Sequence, residues 1–532
     1  MLDWLPDDHL VWFVIAAVER LDTLAFHARA RLGGVGRRGF DPDMLLTLFV
    51  YAMAHGQSSS RRIERLCHTD VAFRVICAQD VPDHTVLARF GEDHEAALAD
   101  LLTESLVLAA ELGMVSLGVV AFDGTKIAAN ASKDANRGEA RLRRLAEEFL
   151  TTVAAADEAD DALFGEDSRG DEPPAGMGDR TRRGERINQA LGQVQARRGA
   201  AEQARRERAE RARGYEQTAP KGGRPRGADP LVAAKTRLDR ERGKAQALLQ
   251  AWRARAERAR AAGGKPVGRP AVPVEEHHRV RKARAACQAA LAQHGEAGDT
   301  GAGAAAGAAG QTENAGEPPD TFKANLTDPD SRLLKTRNGW IQGYNCQTSA
   351  SGDEFILTAR ATQDACDVEQ FTPTVNDVVA TAAELARRTG RDDLQVGTMI
   401  GDAGYDSAAN LDADGPDRLI PDAKRRAINQ RAATEPAAGD PPEHTTGREQ
   451  INHRLRTPEG HALYKRRAPM IEAPNAWLKD RRGLRRFTRR GLRRFTRRGL
   501  AAAQAELSFA SAVTNLLKLA TRGVTIAQLQ TG

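Results

Sequence analysis

The chain has 532 residues, more than one compact domain holds and enough for two or three. A formal charge of +6 and a pI near 9.1 exclude a strongly acidic chain but select no partner by themselves. Five cysteines, odd in number and without C-x-x-C spacing, argue against a disulfide framework or a zinc site.

The start, Met-Leu-Asp-Trp-Leu-Pro-Asp-Asp, lacks the basic n-region of a signal peptide. Apolar runs such as Leu10–Val18 and Met44–Ala54 fall short of the roughly 20 residues a membrane helix needs. A cytosolic, reduced protein with no membrane contact is expected.

Residues 1–110 have the pattern of a helical domain, with apolar residues at helical spacing through Leu10, Val14, Ala17 and Leu21 and again through Leu45–Met53. Gly56 breaks the chain, and Ser58, Ser59 and Ser60 offer N-caps for a helix starting Arg61, Arg62, Ile63. Another short helix after Pro82-Asp83 carries His84, Arg89 and Phe90. Short helices with basic first turns suit a DNA-binding helix-turn-helix module and suit a small helical bundle equally well.

Val115–Ala129 has buried-strand texture, and the strand is expected to end on Asp123-Gly124-Thr125-Lys126. Residues 111–134 thus open an α/β core, which residues 135–320 interrupt. Arg182–Arg213 and Ala233–Ala262 in that insertion have the composition of long solvated helices. Glu166–Arg180 and Gly295–Pro319 have that of disordered segments. The core resumes over 321–532. Trp340–Ser349 and Glu354–Thr362, joined by Ala350-Ser351-Gly352-Asp353, predict a β-hairpin. Then come a helix near Val368–Arg388, a buried strand Val396–Ile400 running into Gly401-Asp402, a short strand Arg418–Ile420, a polar loop, and mainly helix from Pro469. This order predicts an α/β sheet with helices outside it.

Two acids follow buried strand residues, Asp123 after Val119–Phe122 and Asp402 after Met399–Gly401. A third, Glu472, lies between Pro469 and Pro474, and proline is tolerated in a helix's first turn, which predicts Glu472 near a helix N-terminus. Mg²⁺ prefers oxygen ligands and keeps much of its water, so a few carboxylates hold it, and two such ions serve phosphoryl transfer. Between Lys465 and Arg498 stand fourteen Lys or Arg against two acids, Glu472 and Asp480, a density that suits a polyanion such as a phosphate backbone. Asp406, Asp364, Asp367 and Glu506 are alternative acids for the site.

Val119–Lys126 and Gly401–Asp406 resemble the first and second aspartate motifs of the DDE transposases of bacterial insertion sequences, and Tyr464, Arg467, Glu472 and Lys479 resemble that group's Tyr–Arg–Glu–Lys signature. Six residues separate Glu472 from Lys479, as in the family; four rather than three separate Arg467 from Glu472. Asp41-Pro42 through Ile63, Pro82-Asp83-His84 and Arg89-Phe90 resemble the family's InsH-like N-terminal domain, and Asp328-Pro329-Asp330 with Gly343-Tyr-Asn-Cys-Gln347 its post-insertion hairpin.

The resemblance implies an RNase H-like mixed-sheet core with a catalytic and metal-binding triad of Asp123, Asp402 and Glu472 using two Mg²⁺ ions, or Mn²⁺ in their place. It implies strand cleavage and transfer at terminal inverted repeats, target DNA as second substrate, and a homodimer pairing the two ends at the nucleoid. Tyr464, Arg467, Lys479, Arg61 and Arg62 are then DNA contacts. Two other readings are a catalytically impaired relic that only binds DNA and a generic RNase H-like nuclease.

Two features depart from the family pattern. Gly483–Arg490 recurs at once as Gly491–Arg498, and eight extra residues inside a continuous helix would turn its later residues by about 80° beyond two full turns. One copy is therefore expected to be extruded as a loop. Pro220–Gly227 and Gly268-Arg269-Pro270 resemble AT-hooks, but a basic turn in a linker is the preferred reading.

Overall fold

A computed structural model describes residues 4–28, 39–149, 151, 177–218, 228–265, 270–303, 322–443, 445–484 and 498–530. It divides into two compact units, Met1–Asn136 with Ala324–Gly532, and Arg137–Lys323.

The first unit opens with α1 (Leu10–Arg20), α2 (Leu24–His27), α3 (Pro42–Ala54), α4 (Ser60–Thr69), α5 (Val71–Ile76), α6 (His84–Asp93) and α7 (Glu95–Glu111). Aspartates start three of them. The side chain of Asp41 accepts from Asp43 N, that of Asp70 from Ala72 and Phe73 N, and that of Asp83 from Thr85 and Val86 N, each satisfying donors that a helix start leaves open. Ser59 occupies the N-cap of α4, but its side chain makes no capping bond. After α3, Gly56 turns with φ 65°, and a Cβ there would lie 2.9 Å from the Arg481 carbonyl oxygen, so only glycine fits. The Arg482 guanidinium donates to the carbonyls of Met53 and Ala54 at the end of α3.

β1 (Val119–Ala128) follows, and β2 (Asn136–Gly138) marks where the chain leaves this unit. The second unit holds α8 (139–149), α9 (Met177–Thr218), α10 (Pro230–Ala261) and α11 (His278–Gly303). Its apolar content is thin: Leu238, Ala245, Val280 and Ala283 form one small cluster between α10 and α11. Residues 177–180 and 295–303, expected to be disordered, are helical because α9 and α11 continue through them. The rest of the two expected disordered segments, 166–176 and 304–319, lies outside the described residues, as do 220–227 and 268–269 of the AT-hook-like motifs.

Back in the first unit, β3 (Lys323–Asn325), β4 (Arg332–Thr336), β5 (Gly339–Ser351) and β6 (Ile356–Thr362) precede α12 (Phe371–Thr389), β7 (Thr398–Ile400), α13 (Ala408–Leu411) and β8 (Arg418–Leu419). The last helices are α14 (Arg425–Thr434), α15 (Gly447–Arg454), α16 (Pro458–Lys465), α17 (Arg467–Asp480), α18 (Leu500–Thr521) and α19 (Ile526–Gln530).

The fold is mixed α/β. The main sheet runs β4-β5-β1-β7-β8, with β6 also on β5. β5 pairs antiparallel with β1, β4 and β6, while β1, β7 and β8 are parallel. Asp123 is not the last residue of its strand, because β5 carries β1 on to Ala128. On the other edge, β7 accompanies β1 only from Val119 to Ala121, since its chain turns away after Ile400. Asp123 therefore sits just past the end of the parallel pair.

Three further expectations need correction. No strand is expected at β4, which the two-residue turn Arg337-Asn338, followed by Gly339 with φ 99°, links to β5. The expected polar loop after β8 holds α14, α15 and α16; Thr446 and Glu449 form a capping box, and Thr457 with Pro458 starts α16. α17 begins at Arg467, so Glu472 is in its second turn, and Pro474 lies inside the helix. α17 stops at Asp480 and α18 starts at Leu500, and residues 485–497, where an extruded copy would fall, lie outside the described residues.

One hydrophobic core joins the N-terminal helices, the sheet and α18. α18 also caps the outer edge of β6. Asn515 Oδ1 accepts from Ile356 N at 2.8 Å and its Nδ2 donates to Ile356 O at 2.9 Å, while Gln504 bonds Ala361 N and Ala359 O, both at 2.7 Å. Four backbone groups of a buried sheet edge thereby find partners. No helix among the described residues is long and apolar enough to cross a membrane.

Candidate active site

Strand alternation puts Val119, Ala121 and Asp123 on one face of β1 and Phe122 and Gly124 on the other. Ala121 and Ala350 pack against Met470 and Ile471, so α17 covers the face that carries Asp123. Thr348, opposite Asp123 in the register, bonds Asn475 Oδ1 of α17 at 2.8 Å. On the other face Phe122 meets the Tyr405 ring edge-on at 4.7 Å and Phe371 at the start of α12 at 5.7 Å.

Both aspartates are held in the same way. Oδ1 of Asp123 accepts from Gly124 N at 2.8 Å, and Oδ1 of Asp402 accepts from Gly404 N at 2.8 Å. Their other oxygens converge on one guanidinium: Arg467 Nη2 is 3.0 Å from Asp123 Oδ2 and 3.8 Å from Asp402 Oδ2. The Arg467 side chain is 11% exposed, and its buried Nε has no hydrogen-bond partner among the described residues. Burial pushes the Asp123 carboxyl up to about 6; the Arg467 charge opposes this, Asp402 adds to it, the Gly124 N–H opposes it and Asp367 adds to it.

Asp367, among the alternative acids, lies against Gly124 on the other face of β1 from the Asp123 side chain. Its Oδ1 accepts from Asn345 Nδ2 and Gln347 Nε2, both at 2.8 Å. Gln347 Oε1 in turn accepts from the buried Tyr405 hydroxyl. Alternation within Gly343-Tyr-Asn-Cys-Gln347 puts Asn345 and Gln347 on one face, a signal legible in the sequence. The other three acids are engaged elsewhere. Asp406 pairs with Arg448 at 2.7 Å, Asp364 accepts from Gln370 at 2.8 Å, and Glu506 of α18 lines a cavity with Phe49, Met53 and Ile63.

Glu472 is exposed on α17 and makes no hydrogen bond or ion pair among the described residues. At about 100° per residue it shares a side of the helix with Lys479 and is turned roughly 140° from Arg467. The structure thus gathers Asp123, Asp402 and Arg467, and leaves Glu472 on the same helix and the same side of the sheet without contact to the aspartates. Tyr464 is buried on α16, which raises its pKa; Arg467 opposes the rise and Asp402 adds to it. Lys479 is partly buried, and its charge reaches Cys346 of β5. Arg61 and Arg62 are exposed on the first turn of α4 and do not contact the carboxylates.

Residues 1–93 match the family model described as a transposase domain, DUF772, and residues 441–520 match the one described as a transposase DDE domain. The second match contains Tyr464, Arg467, Glu472 and Lys479; Asp123 and Asp402 lie between the two. No curated protein and no solved structure matches the chain. The chain thus carries a transposase domain at its N-terminus and a transposase DDE domain near its C-terminus, an arrangement consistent with the DDE transposases of insertion sequences.

Proposed function

We propose that the chain cuts DNA at insertion-sequence ends and joins the freed 3′-hydroxyl to target DNA, with Asp123, Asp402 and Glu472 holding two divalent cations, Mg²⁺ or Mn²⁺. The observation that carries this reading is the convergence of one oxygen each from Asp123 and Asp402 on a single positive group, the Arg467 guanidinium, which stands in for a cation. An all-oxygen donor set suits a hard ion. Glu472 fits as third acid because α17 brings it to Asp123's side of the sheet, exposed and unpaired among the described residues.

Bound ions would supply activation of the attacking oxygen and stabilisation of the leaving one. The chain's own groups position the rest. β1 and β7 hold the aspartates on a rigid frame, and the N–H groups of Gly124 and Gly404 fix one oxygen of each. Arg467 and Lys479 offer positive charge to the backbone flanking the scissile phosphate. Tyr464, buried with a raised pKa, suits a neutral donor to phosphate rather than a nucleophile. Arg61 and Arg62 are free to contact duplex DNA from the helical N-terminal domain. Antiparallel strands on one side of β1 and parallel ones on the other support an RNase H-like core that the insertion interrupts. Pairing two transposon ends at the nucleoid calls for a homodimer.

The test is a nicking and strand-transfer assay on DNA carrying the element's ends, with Mg²⁺ or Mn²⁺. D123N and D402N should each abolish cleavage. Cleavage that survives both substitutions overturns the site; cleavage indifferent to the end sequence points to a general nuclease.

A further inference from the structure

We propose that Arg467 gates the cation site: its guanidinium holds the place between Asp123 and Asp402 in the metal-free chain, and yields it to a divalent ion when a DNA phosphate takes the arginine over. The inference rests on the reading above that the two aspartates bind such ions. It adds a condition, that DNA and metal load the site together.

The geometry makes the guanidinium and an ion alternatives. Arg467 Nη2 is 3.0 Å from Asp123 Oδ2 and 3.8 Å from Asp402 Oδ2. The other oxygen of each aspartate already accepts a backbone N–H, from Gly124 and from Gly404, both at 2.8 Å. The two oxygens open to an ion are therefore the two that the arginine faces. An ion bridging them would meet a fixed positive charge on a side chain only 11% exposed, where water screens the repulsion little.

The chain offers the displaced guanidinium no second anion. Asp123 and Asp402 are its ion-pair partners among the described residues. Glu472 stands five positions further along α17, and at about 100° per residue it is turned roughly 140° away. The preceding residues, Lys465 and Arg466, are positive, and from Lys465 to Arg498 fourteen Lys or Arg face two acids. A guanidinium released into that field needs an anion from outside, and the phosphate backbone of bound DNA is one.

The side chain is also equipped for the exchange. Its Nε is buried and has no hydrogen-bond partner among the described residues, an uncommon state for a donor. A guanidinium presents its donors as a rigid fork that matches two phosphate oxygens, so a phosphate would engage what the aspartates leave open. Arg467 is the first residue of α17, and the helix is held further on, by Met470 and Ile471 against Ala121 and Ala350 and by Asn475 on Thr348. The arginine can thus swing by side-chain rotation alone. Linkage then works both ways: DNA that takes the guanidinium tightens the ion, and the ion tightens DNA by the same factor.

The experiment uses the full chain and Mn²⁺ as the probe, followed by its resonance signal and by calorimetry. Without DNA, R467Q should bind Mn²⁺ about tenfold tighter than wild type, because the competing charge is gone. A saturating duplex carrying the element's ends should tighten Mn²⁺ binding to wild type about tenfold and to R467Q less than about threefold, after subtraction of the Mn²⁺ held by the duplex alone. A wild-type constant that DNA leaves unchanged overturns the proposal whether or not R467Q folds. R467Q that binds Mn²⁺ no tighter than wild type, while D123N abolishes binding, overturns the gate and leaves the cation site standing. Wild type that binds no Mn²⁺ even with DNA, or D123N that binds like wild type, overturns the cation site and this inference with it.

Discussion

D123N should make the metal-free protein more stable at neutral pH while removing a carboxylate that the proposed chemistry needs. Burial, with Asp402 and Asp367 adding to it, holds the Asp123 carboxyl at about 6 instead of the ordinary 3.8. A raised carboxyl pKa means that the folded state binds the proton more tightly than the unfolded chain does. The stability this contributes is present below about pH 4 and is lost as pH rises through about 4 to 6. The displacement from 3.8 to about 6, at about 1.4 kcal/mol per pH unit, corresponds to about 3 kcal/mol. With the side chain 27% exposed, solvent screening brings the working figure to about 2 kcal/mol. Asparagine keeps the oxygen that accepts from Gly124 N and carries no charge to desolvate. In EDTA near pH 7, D123N should melt about 3 °C above wild type, and the two should coincide near pH 4. Adding Mg²⁺ should raise the wild-type midpoint and leave D123N unmoved. A D123N midpoint at or below wild type in EDTA at neutral pH, or an advantage that persists near pH 4, refutes the reasoning.

Four other outcomes are expected. G124A puts a Cβ 2.5 Å from Asp367 Oδ1 and 2.9 Å from Gln347 Nε2, and should lower stability by about 1–3 kcal/mol together with Mn²⁺ affinity; G118A, with nothing within 4 Å, is the silent control in the same melting series. G56A should cost about 1–2 kcal/mol, because φ is 65° there and the Arg481 carbonyl is 2.9 Å from the added carbon, measured as a drop in the thermal midpoint. N515L leaves the N–H and C=O of Ile356 buried and unpaired, a loss of about 2–4 kcal/mol that hydrogen exchange should localise to β6. If one octapeptide copy is extruded as a loop, deleting residues 491–498 should change stability by no more than about 0.6 kcal/mol; a large melting shift would refute the extrusion.

Much of the architecture is legible in single segments. The helices of the N-terminal region, the apolar run of β1, the β5–β6 hairpin and the run into Asp402 each carry their own period or turn, because side chains a few positions apart decide whether a local element can bury one face. The pairing of the two aspartates is legible only as a motif. Segments with weak apolar signal went unread: α14 to α16 are polar and betray themselves through caps, and β4 through a single two-residue turn.

The inventory is therefore written locally: which stretches are helix or strand, and which acids end up close to strand residues. Who meets whom is settled by folding alone. Arg467 lies 344 positions beyond Asp123 in the chain and is 3.0 Å from it because Met470 and Ile471 of its helix pack on Ala121 and Ala350. Asn515 and Gln504 cap a strand about 150 positions earlier, at separations of 159 and 143, because α18 is buried along β6. Asp367 packs against β1 because Gly124 leaves room for its oxygen. Such meetings come from close packing of faces far apart in the chain, and no local period encodes them.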